Sequence, residues 1–583
     1  MVTNDELAAL LSEFADRLEA TDVEYKPRAY RRAAESVAGH PTPLTELDAE
    51  GGADALAELD HVGDAIASKL HEAIETGSIA ELEELRAEMP AEVDALTRVE
   101  GVGPKTVGTL YRELGIETLD DLEAAGENEE IQEVSGFGAK TEQNILDGIP
   151  FARQAHERQL LGDARPLAEA AMANLRDHPA VERCETAGSL RRWNPTIGDV
   201  DVLVGTDEPE AVVAAFTDWE RATDVIEAGE TKASLRVRDV RVDLRTVAPE
   251  EYGSALQYFT GSKGHNITLR NYALERDISL NEYGAFDVSD VDPADGQRAG
   301  ERLAGDTEAS MYEVLGLAFV PPELREDRGE VAAAASGALP DLVEPGAVRG
   351  DLHTHTDWSD GGYSVGEMAR AAAEFGHDYL AITDHAVGPG VVADTGLDAE
   401  DLAEQREVVE SVADTVDVEL LHGVETNVDA EGAVSLSDDT LAELDIVVAS
   451  PHSALDQDAE TATARLCAAM EHPHVDVLGH PSGRLLNSRA GLDLDAAALA
   501  ETAAAAGVAL EINSNPHRLD LWGGAVKAAV DAGATVVANT DAHAPAEFEN
   551  VRYGVRTARR GWVEADDLLN AGRLDDVRSF LES

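Results

Sequence analysis

Lysine is nearly absent from this sequence. Of 45 basic residues only seven are lysines, at positions 26, 69, 105, 140, 232, 263 and 527, and the rest are arginine. Cysteine is scarcer still, with only Cys184 and Cys467. Two distant cysteines exclude a disulfide framework and a cysteine-rich metal site, and they suit a reducing, cytoplasmic setting. Aromatic residues make up 4% of the chain. No run approaches the roughly 20 apolar residues of a membrane span, so no transmembrane helix and no membrane partner are expected. The opening MetValThrAsnAspGluLeu has no basic flank and no small-residue cleavage site, so no secretory signal is expected.

Acid is what the sequence has in excess. Asp and Glu number 116, and the formal net charge is −71. The acid is spread through periodic, foldable sequence and is not collected in a tail. Such a surface suits molar salt, where the Debye length falls to about 3 Å and self-repulsion is screened. A halophilic origin is inferred. A chain of 583 residues holds several domains, each large enough for its own core. Basic residues are concentrated in front, 32 of 45 in residues 1–350, and histidines behind, 11 of 17 in residues 351–583. That asymmetry suggests an anion-handling front and a metal-handling back.

Residues 1–148 read as short amphipathic helices joined by Gly-containing turns. ValGluGlyValGlyProLysThr (99–106) and ValSerGlyPheGlyAlaLysThr (134–141) are near copies. LeuAspHisValGlyAspAlaIleAlaSerLys (59–69) is a weaker third, with His61 in place of the first glycine. These segments fit helix-hairpin-helix turns. Gly101, Gly103, Gly136 and Gly138 let the backbone approach a phosphate, the next helix offers free N–H groups, and Lys105 and Lys140 add charge. The repetition points to sequence-independent binding of a DNA backbone.

The segment GlySerLeuArgArgTrpAsnProThrIleGlyAspValAspValLeuVal (188–204) places Asp199 and Asp201 two apart on a strand, facing one side. Asp243, in ArgValAspLeuArg on another strand, completes a cluster. Three converging carboxylates repel one another, and two Mg²⁺ (or Mn²⁺) ions relieve that repulsion. Such a pair, about 4 Å apart, activates a 3′-hydroxyl and stabilises a leaving pyrophosphate. Gly188, Ser189 and Arg192 are placed to hold a triphosphate.

This segment resembles the nucleotidyltransferase motif of family X DNA polymerases, the family of DNA polymerase beta. TyrPheThrGlySerLysGlyHisAsn (258–266), with Arg270 and AsnGluTyr (281–283), resembles that family's nucleotide-binding segment, and GlyGluThrLysAlaSer (229–234) resembles a further stretch. The resemblance covers roughly residues 5–325. It implies metal-binding, catalytic aspartates at 199, 201 and 243, and triphosphate contacts at Ser189, Arg192 and Gly198. It implies that Tyr258, Phe259, Gly261 and Asn266 surround the incoming sugar and base, that Arg270 faces the template, and that Lys232 contacts DNA. Trp193 stands where the family usually carries glycine. The resemblance also implies a lyase site in which Lys69 forms a Schiff base and Lys26 binds a 5′-phosphate. Because Asp60 and His61 alter the neighbouring motif, a phosphate contact is the alternative role for Lys69.

From residue 348 onward, short apolar strands alternate with Ala-rich helices, which argues an α/β barrel. AspLeuHisThrHisThrAspTrpSerAspGly (351–361) supplies His353, His355 and Asp360. ThrAspHis (383–385), GlyValGluThrAsn (423–427), SerProHis (450–452), GlyHisPro (479–481) and ThrAspAlaHis (540–543) each follow a strand-like run. Strand ends in such a barrel converge on one face, and mixed His and carboxylate ligands suit Zn²⁺, Mn²⁺ or Fe. The set resembles the PHP (polymerase and histidinol phosphatase) domain. The resemblance implies a ligand set of His353, His355, Asp360, His385, Glu425, His452, His480, Asp541 and His543, a distorted (β/α)7 barrel, and three ions, Mn²⁺ and/or Zn²⁺. Arg484 and Arg518 are candidates to hold a substrate phosphate, or else form surface salt bridges.

The expected architecture is therefore multidomain: an all-α lyase-like region (1–90), an all-α helix-hairpin-helix region (91–150), an α+β nucleotidyltransferase palm (151–247), a nucleotide- and template-binding subdomain (248–325), a linker (326–347) and an α/β PHP barrel (348–583). This order resembles the bacterial and archaeal family X DNA polymerase with a C-terminal PHP domain. The implied function is gap-filling DNA repair synthesis with a metal-dependent 3′–5′ exonuclease, with gapped or nicked duplex DNA and dNTPs as partners of a monomer. A DNA end-processing phosphoesterase, or a small-molecule phosphatase, is the alternative.

Overall fold

The computed structural model describes residues 4–582 apart from 22, 24–25, 39, 41–42, 58, 60, 100, 157, 238–239, 292–295 and 391–394. Asp60 therefore lies outside the described residues. No helix among those described is long and apolar enough to cross a membrane.

Residues 4–156 are all helical. The helices Asn4–Ala20, Lys26–Ala38 and Asp64–Thr76 enclose one core around Leu7, Leu11, Phe14 and Leu70. The helices Pro104–Leu114, Leu119–Glu127 and Ala139–His156 enclose a second around Val107, Leu122 and Ile145. Local chemistry sets the element ends: Pro104 opens its helix in the first turn, where its missing N–H costs nothing, and Thr118 closes a capping box with Asp121.

A five-stranded sheet follows, in the order Arg183–Thr186, Val200–Gly205, Val240–Val247, Lys232–Val237, Asp224–Ala228. The strands Val200–Gly205 and Val240–Val247 run parallel, with Asp201 directly opposite Asp243. Their inward residues, Val202, Val204, Val242 and Leu244, pack on the helix Leu161–Arg176. A three-stranded antiparallel sheet (Ile278–Asn281, Gly284–Asp287, Glu301–Ala304) and the helix Lys263–Leu274 form a separate lobe.

Residues 326–347, expected as a linker, are packed on both neighbours. Glu330 is buried and accepts from His265 Nδ1 at 2.6 Å, and the amide of Val343 donates to the carbonyl of Val563 at 2.9 Å. The Ala-rich composition that suggests a hinge instead forms the helix Glu330–Ser336.

Seven parallel strands make the C-terminal barrel: Gly350–Asp351, Tyr379–Ile382, Glu419–Asn427, Ile446–Ser450, Val477–Leu478, Ala509–Asn513 and Val536–Asn539. They are paired in sequence order, and a parallel bridge between Thr354 and Ala542 joins the first to the last. Near-continuous burial of these strands is what a parallel sheet covered on its outer face requires.

Candidate metal centres and nucleic-acid interface

The hairpin turns expose their glycines. The left-handed conformation recurs at the same motif position in all three copies, with φ of 60° at His61, 81° at Gly101 and 98° at Gly136. His61 thus keeps the turn at some backbone cost. Gly103 has an ordinary extended φ of −82°, and a Cβ at Gly103 or Gly138 would meet nothing within 4 Å. No internal packing demands glycine there, so the open space is available to an approaching phosphate. Lys105 and Lys140 are exposed beside these turns, as is Lys26 on the helix Lys26–Ala38. Lys69 is half-buried, ion-paired to Glu81, with its Nζ 5.1 Å from the Phe14 ring.

The three aspartates converge as the alternating pattern predicts. One carboxylate oxygen from each of Asp199, Asp201 and Asp243 lies within 4.8 Å of the others. Burial, then the neighbouring carboxylates of Asp199 and Asp243, push Asp201 up from 3.8 to about 7. A cluster this unfavourable when ionised fits a bound metal cation. Arg241 Nε donates to Asp243 at 2.9 Å and offsets part of the charge. Gly188 has φ 61°, and a Cβ there would fall 2.3 Å from Asp201 Oδ2, so the short helix Gly188–Arg191 starts directly against the cluster.

Two adjacent arginines at the end of that helix are engaged differently. Arg191 pairs with Glu308 at 2.6 and 2.7 Å, and Arg325 reaches the same carboxylate at 2.5 Å. Arg192 donates to Glu326 at 2.9 Å and to the carbonyl of Thr260 at 2.8 Å. Ser189 is half-buried, and Gly198 is exposed in the bend just before the strand Val200–Gly205. Asn266 Nδ2 donates to the carbonyls of Tyr258 (2.7 Å) and Gly261 (3.2 Å), which fixes the turn after the helix Tyr252–Thr260. The rings of Tyr258 and Phe259 meet edge to face at 5.1 Å. Arg270 and Lys232 are exposed.

In the barrel, all nine expected residues meet at the C-terminal ends of the strands. Three overlapping groups have ligand atoms within 4.8 Å of one another: His355, Asp360, His385 and His543; His353, His355 and Glu425; and His385, Glu425 and His452. His480 Nε2 is 2.9 Å from Glu425, and Asp541 Oδ1 is 3.1 Å from His355 Nε2. His353, His355 and Glu425 are fully buried, and Asp360 stands at the exposed mouth. Although burial acts against it, hydrogen bonds from His385 and His543 hold Asp360 well below the usual carboxylate range. His353 Nε2, both nitrogens of His355, and both oxygens of Glu425 are buried and make no well-aligned hydrogen bond, although charged partners stand close to them. Buried polar atoms crowded together without hydrogen-bond geometry fit metal ligands.

Two residues that sequence reasoning overlooked hold this set in place. Glu511 accepts from His353 Nδ1 (2.7 Å), from the amide of His480 (2.7 Å) and from Asn539 Nδ2 (3.0 Å). Asn427 Oδ1 lies 2.6 Å from His452 Nδ1. Such contacts fix the tautomer and the ring orientation of a ligand. A single carboxylate inside the apolar strand ValAlaLeuGluIle was the available signal for Glu511. Arg484 is not free to hold a phosphate: it donates to the carbonyls of Arg518 (2.8 Å) and Leu519 and braces their loop. Arg518 Nε lies 3.7 Å from Asp541.

Comparison with known proteins places these features. The chain matches the helix-hairpin-helix domain over residues 2–79, the SAM-like helix-hairpin-helix tandem over 53–114 and 93–149, the DNA polymerase beta thumb over 255–326, and the PHP domain over 351–515. It is 36% identical over 565 residues to the DNA polymerase/3′-5′ exonuclease PolX of Bacillus subtilis (strain 168), covering 96% of each chain. It is 28% identical over 286 residues to DNA polymerase lambda of Rattus norvegicus, covering 46% of this chain and 47% of that one. A protein of Thermoanaerobacter sp. (strain X514) named "Probable phosphatase" is 30% identical over 244 residues, 40% of this chain and 94% of its own.

Proposed function

We propose, from the premise that this chain belongs to the family X DNA polymerases with a C-terminal PHP domain, a division of labour between its two acidic centres. The enzyme is a DNA polymerase joined to a 3′–5′ exonuclease, and the reading advanced is that it fills short gaps in duplex DNA during repair and trims 3′ ends in the barrel. The observation that carries it is the register of Asp201 opposite Asp243, with the start of the helix Gly188–Arg191 close against Asp201.

On this reading Asp199, Asp201 and Asp243 hold two Mg²⁺ or Mn²⁺ ions, which supply the charge that activates a primer 3′-hydroxyl and stabilises departing pyrophosphate. Gly188, Ser189, Arg192 and Gly198 bind the triphosphate, with Arg192 giving charge-assisted hydrogen bonds. Tyr258, Phe259 and Gly261 flank the sugar and base, Asn266 fixes their turn, and Arg270 faces the template. Gly101, Gly103, Gly136 and Gly138, with Lys105, Lys140 and Lys232, grip the DNA backbone. Lys26 binds a 5′-phosphate, and Lys69, once it has shed Glu81, reacts with an abasic sugar aldehyde.

In the barrel, His353, His355, Asp360, His385, Glu425, His452, His480, Asp541 and His543 hold three ions, Mn²⁺ and/or Zn²⁺, which polarise a phosphodiester and lower the pKa of water. The histidines must be neutral to donate, and Glu511 and Asn427 orient two of them. Arg518, whose Nε lies 3.7 Å from Asp541, is the candidate to hold a substrate phosphate. The protein acts as a monomer in a reducing cytoplasm of high salt.

The test is a gapped duplex with a labelled primer, incubated with and without dNTPs in Mg²⁺ or Mn²⁺. Extension to the gap length with dNTPs, and 3′ shortening without them, is the expected result. Turnover of histidinol phosphate with neither DNA reaction would refute the reading in favour of a small-molecule phosphatase.

A further inference from the structure

The guanidinium assigned to the triphosphate is already engaged, and its partner is shared with the other half of the enzyme. Arg192 donates through Nε to Glu326 Oε1 at 2.9 Å. The same oxygen lies 3.1 Å from Nη1 of Arg560, at the end of the barrel helix Val551–Arg560. Arg560 Nη1 also donates to the carbonyl of Arg192 at 2.5 Å and to Asn194 Oδ1. The side chains of Arg192, Glu326 and Arg560 are only 11%, 15% and 7% exposed. Water is therefore a poor substitute counterion, and each of these charges needs a protein partner.

Trp193 holds the geometry between them. It has φ 56° and is 8% exposed, in a conformation costly for a bulky side chain. Its ring lies 4.4 Å from the guanidinium of Arg165 and 4.8 Å from that of Arg556, and the barrel's Tyr553 meets it edge-on at 6.2 Å. The backbone of residues 192–194 is thus clamped to the barrel, while the Arg192 side chain keeps one carbonyl and one carboxylate as its partners.

We propose that Glu326 parks Arg192 away from the triphosphate, and that Arg560 is the counterion that stays with Glu326 when Arg192 leaves. The inference rests on the reading of Arg192 as a triphosphate contact. With Arg560 present, release of Arg192 leaves Glu326 paired. Without it, release strands a buried carboxylate, so Arg192 is retained and the nucleotide binds less well. Arg560 is then a positioning residue, through which the exonuclease barrel sets the nucleotide affinity of the polymerase.

Single-nucleotide insertion into a gapped duplex by the full-length enzyme tests this, with dNTP KM and kcat measured separately. Glu326→Gln should lower the dNTP KM about three- to tenfold, and Arg560→Met should raise it by a similar factor, with kcat little changed in both, a range that corresponds to about 0.7–1.4 kcal/mol. The double variant should follow Glu326→Gln, and Arg560→Lys should restore the wild-type KM. Arg192→Met should raise the KM and abolish the effect of Glu326→Gln. If Arg192→Met leaves the KM unchanged, the triphosphate reading fails and the inference falls with it. If Arg192→Met raises the KM but Glu326→Gln and Arg560→Met both raise it multiplicatively, the contacts are only structural and the inference alone is overturned. Should Arg560→Met not fold, Glu326→Gln with and without Arg192→Met decides by itself.

Discussion

Replacing Asp201 with asparagine should stabilise the metal-free protein while abolishing nucleotide addition. In the folded state burial, with the carboxylates of Asp199 and Asp243 beside it, raises Asp201 from 3.8 to about 7. Three pH units correspond to about 4 kcal/mol of preference for the neutral form. Asp201 is half-buried, so solvent screening reduces the usable part to about 1–3 kcal/mol. The direction follows from linkage. A folded pKa above the unfolded one means that the folded state holds more protons between pH 4 and 7, so stability falls as pH rises through that window and stays lost above it. The amide of Asp201→Asn has no carboxyl proton to lose. In chelator the variant should therefore exceed the parent near pH 8 and match it near pH 4. Mg²⁺ should close the gap by stabilising the parent more than the variant. Hydrogen exchange of the strand Val200–Gly205 reads this region separately from the barrel. Equal protection of the two proteins in chelator at pH 8, or equal gains with Mg²⁺, would refute the argument that these carboxylates repel in wait for a cation.

Three further outcomes follow from the same structure. Glu511→Gln cannot accept simultaneously from His353 Nδ1 and the His480 amide, so metal affinity of the barrel, read by competition with a chromophoric chelator, should fall about 10–100-fold with the fold retained; unchanged affinity would remove Glu511 from the site. Borohydride should trap Lys69 on a 5′-deoxyribose-phosphate end, with more adduct in Glu81→Gln and none in Lys69→Ala; trapping that survives Lys69→Ala would leave Lys69 as a phosphate contact only. With a net charge of −71, stability by circular dichroism and primer extension should both peak at molar KCl, and best activity near 0.1 M KCl in an equally folded protein would sink the halophile reading.

What could be read in the sequence was whatever local periodicity determines. Asp199 and Asp201 are two apart in extended sequence and so share a face, although Asp199 stands just before the strand Val200–Gly205, and ligands that follow apolar strands in an α/β barrel share an end. Hence the convergence of the aspartates, and of strand-end histidines and carboxylates in the barrel, is legible before any coordinates, whereas the full set of nine barrel residues is what the resemblance to the PHP domain implies. The direct opposition of Asp201 and Asp243 could not, because a parallel pair joined by a long connection leaves no register signal in the sequence. Glu511 is a lone carboxylate within an apolar strand run, and Asn427 is the last residue of the strand that carries Glu425; only the fold shows what either residue supports. Trp193 had no explanation within its own segment, since its partners Arg556 and Tyr553 lie more than 350 residues away. Composition misled at 326–347, where alanine suggested a hinge but the buried His265–Glu330 contact anchors a helix.

The central claim is that two separate centres perform two reactions. It is tested most directly by giving one gapped, end-labelled duplex to Asp201→Ala and to His355→Ala, with dNTPs and Mn²⁺. Asp201 belongs to the aspartate cluster and His355 to the buried histidine cluster, with no ligand group in common. Asp201→Ala should shorten the primer and never extend it, and His355→Ala should extend it and never shorten it. Loss of both reactions in either variant, with its fold intact by circular dichroism, would contradict the two-centre account.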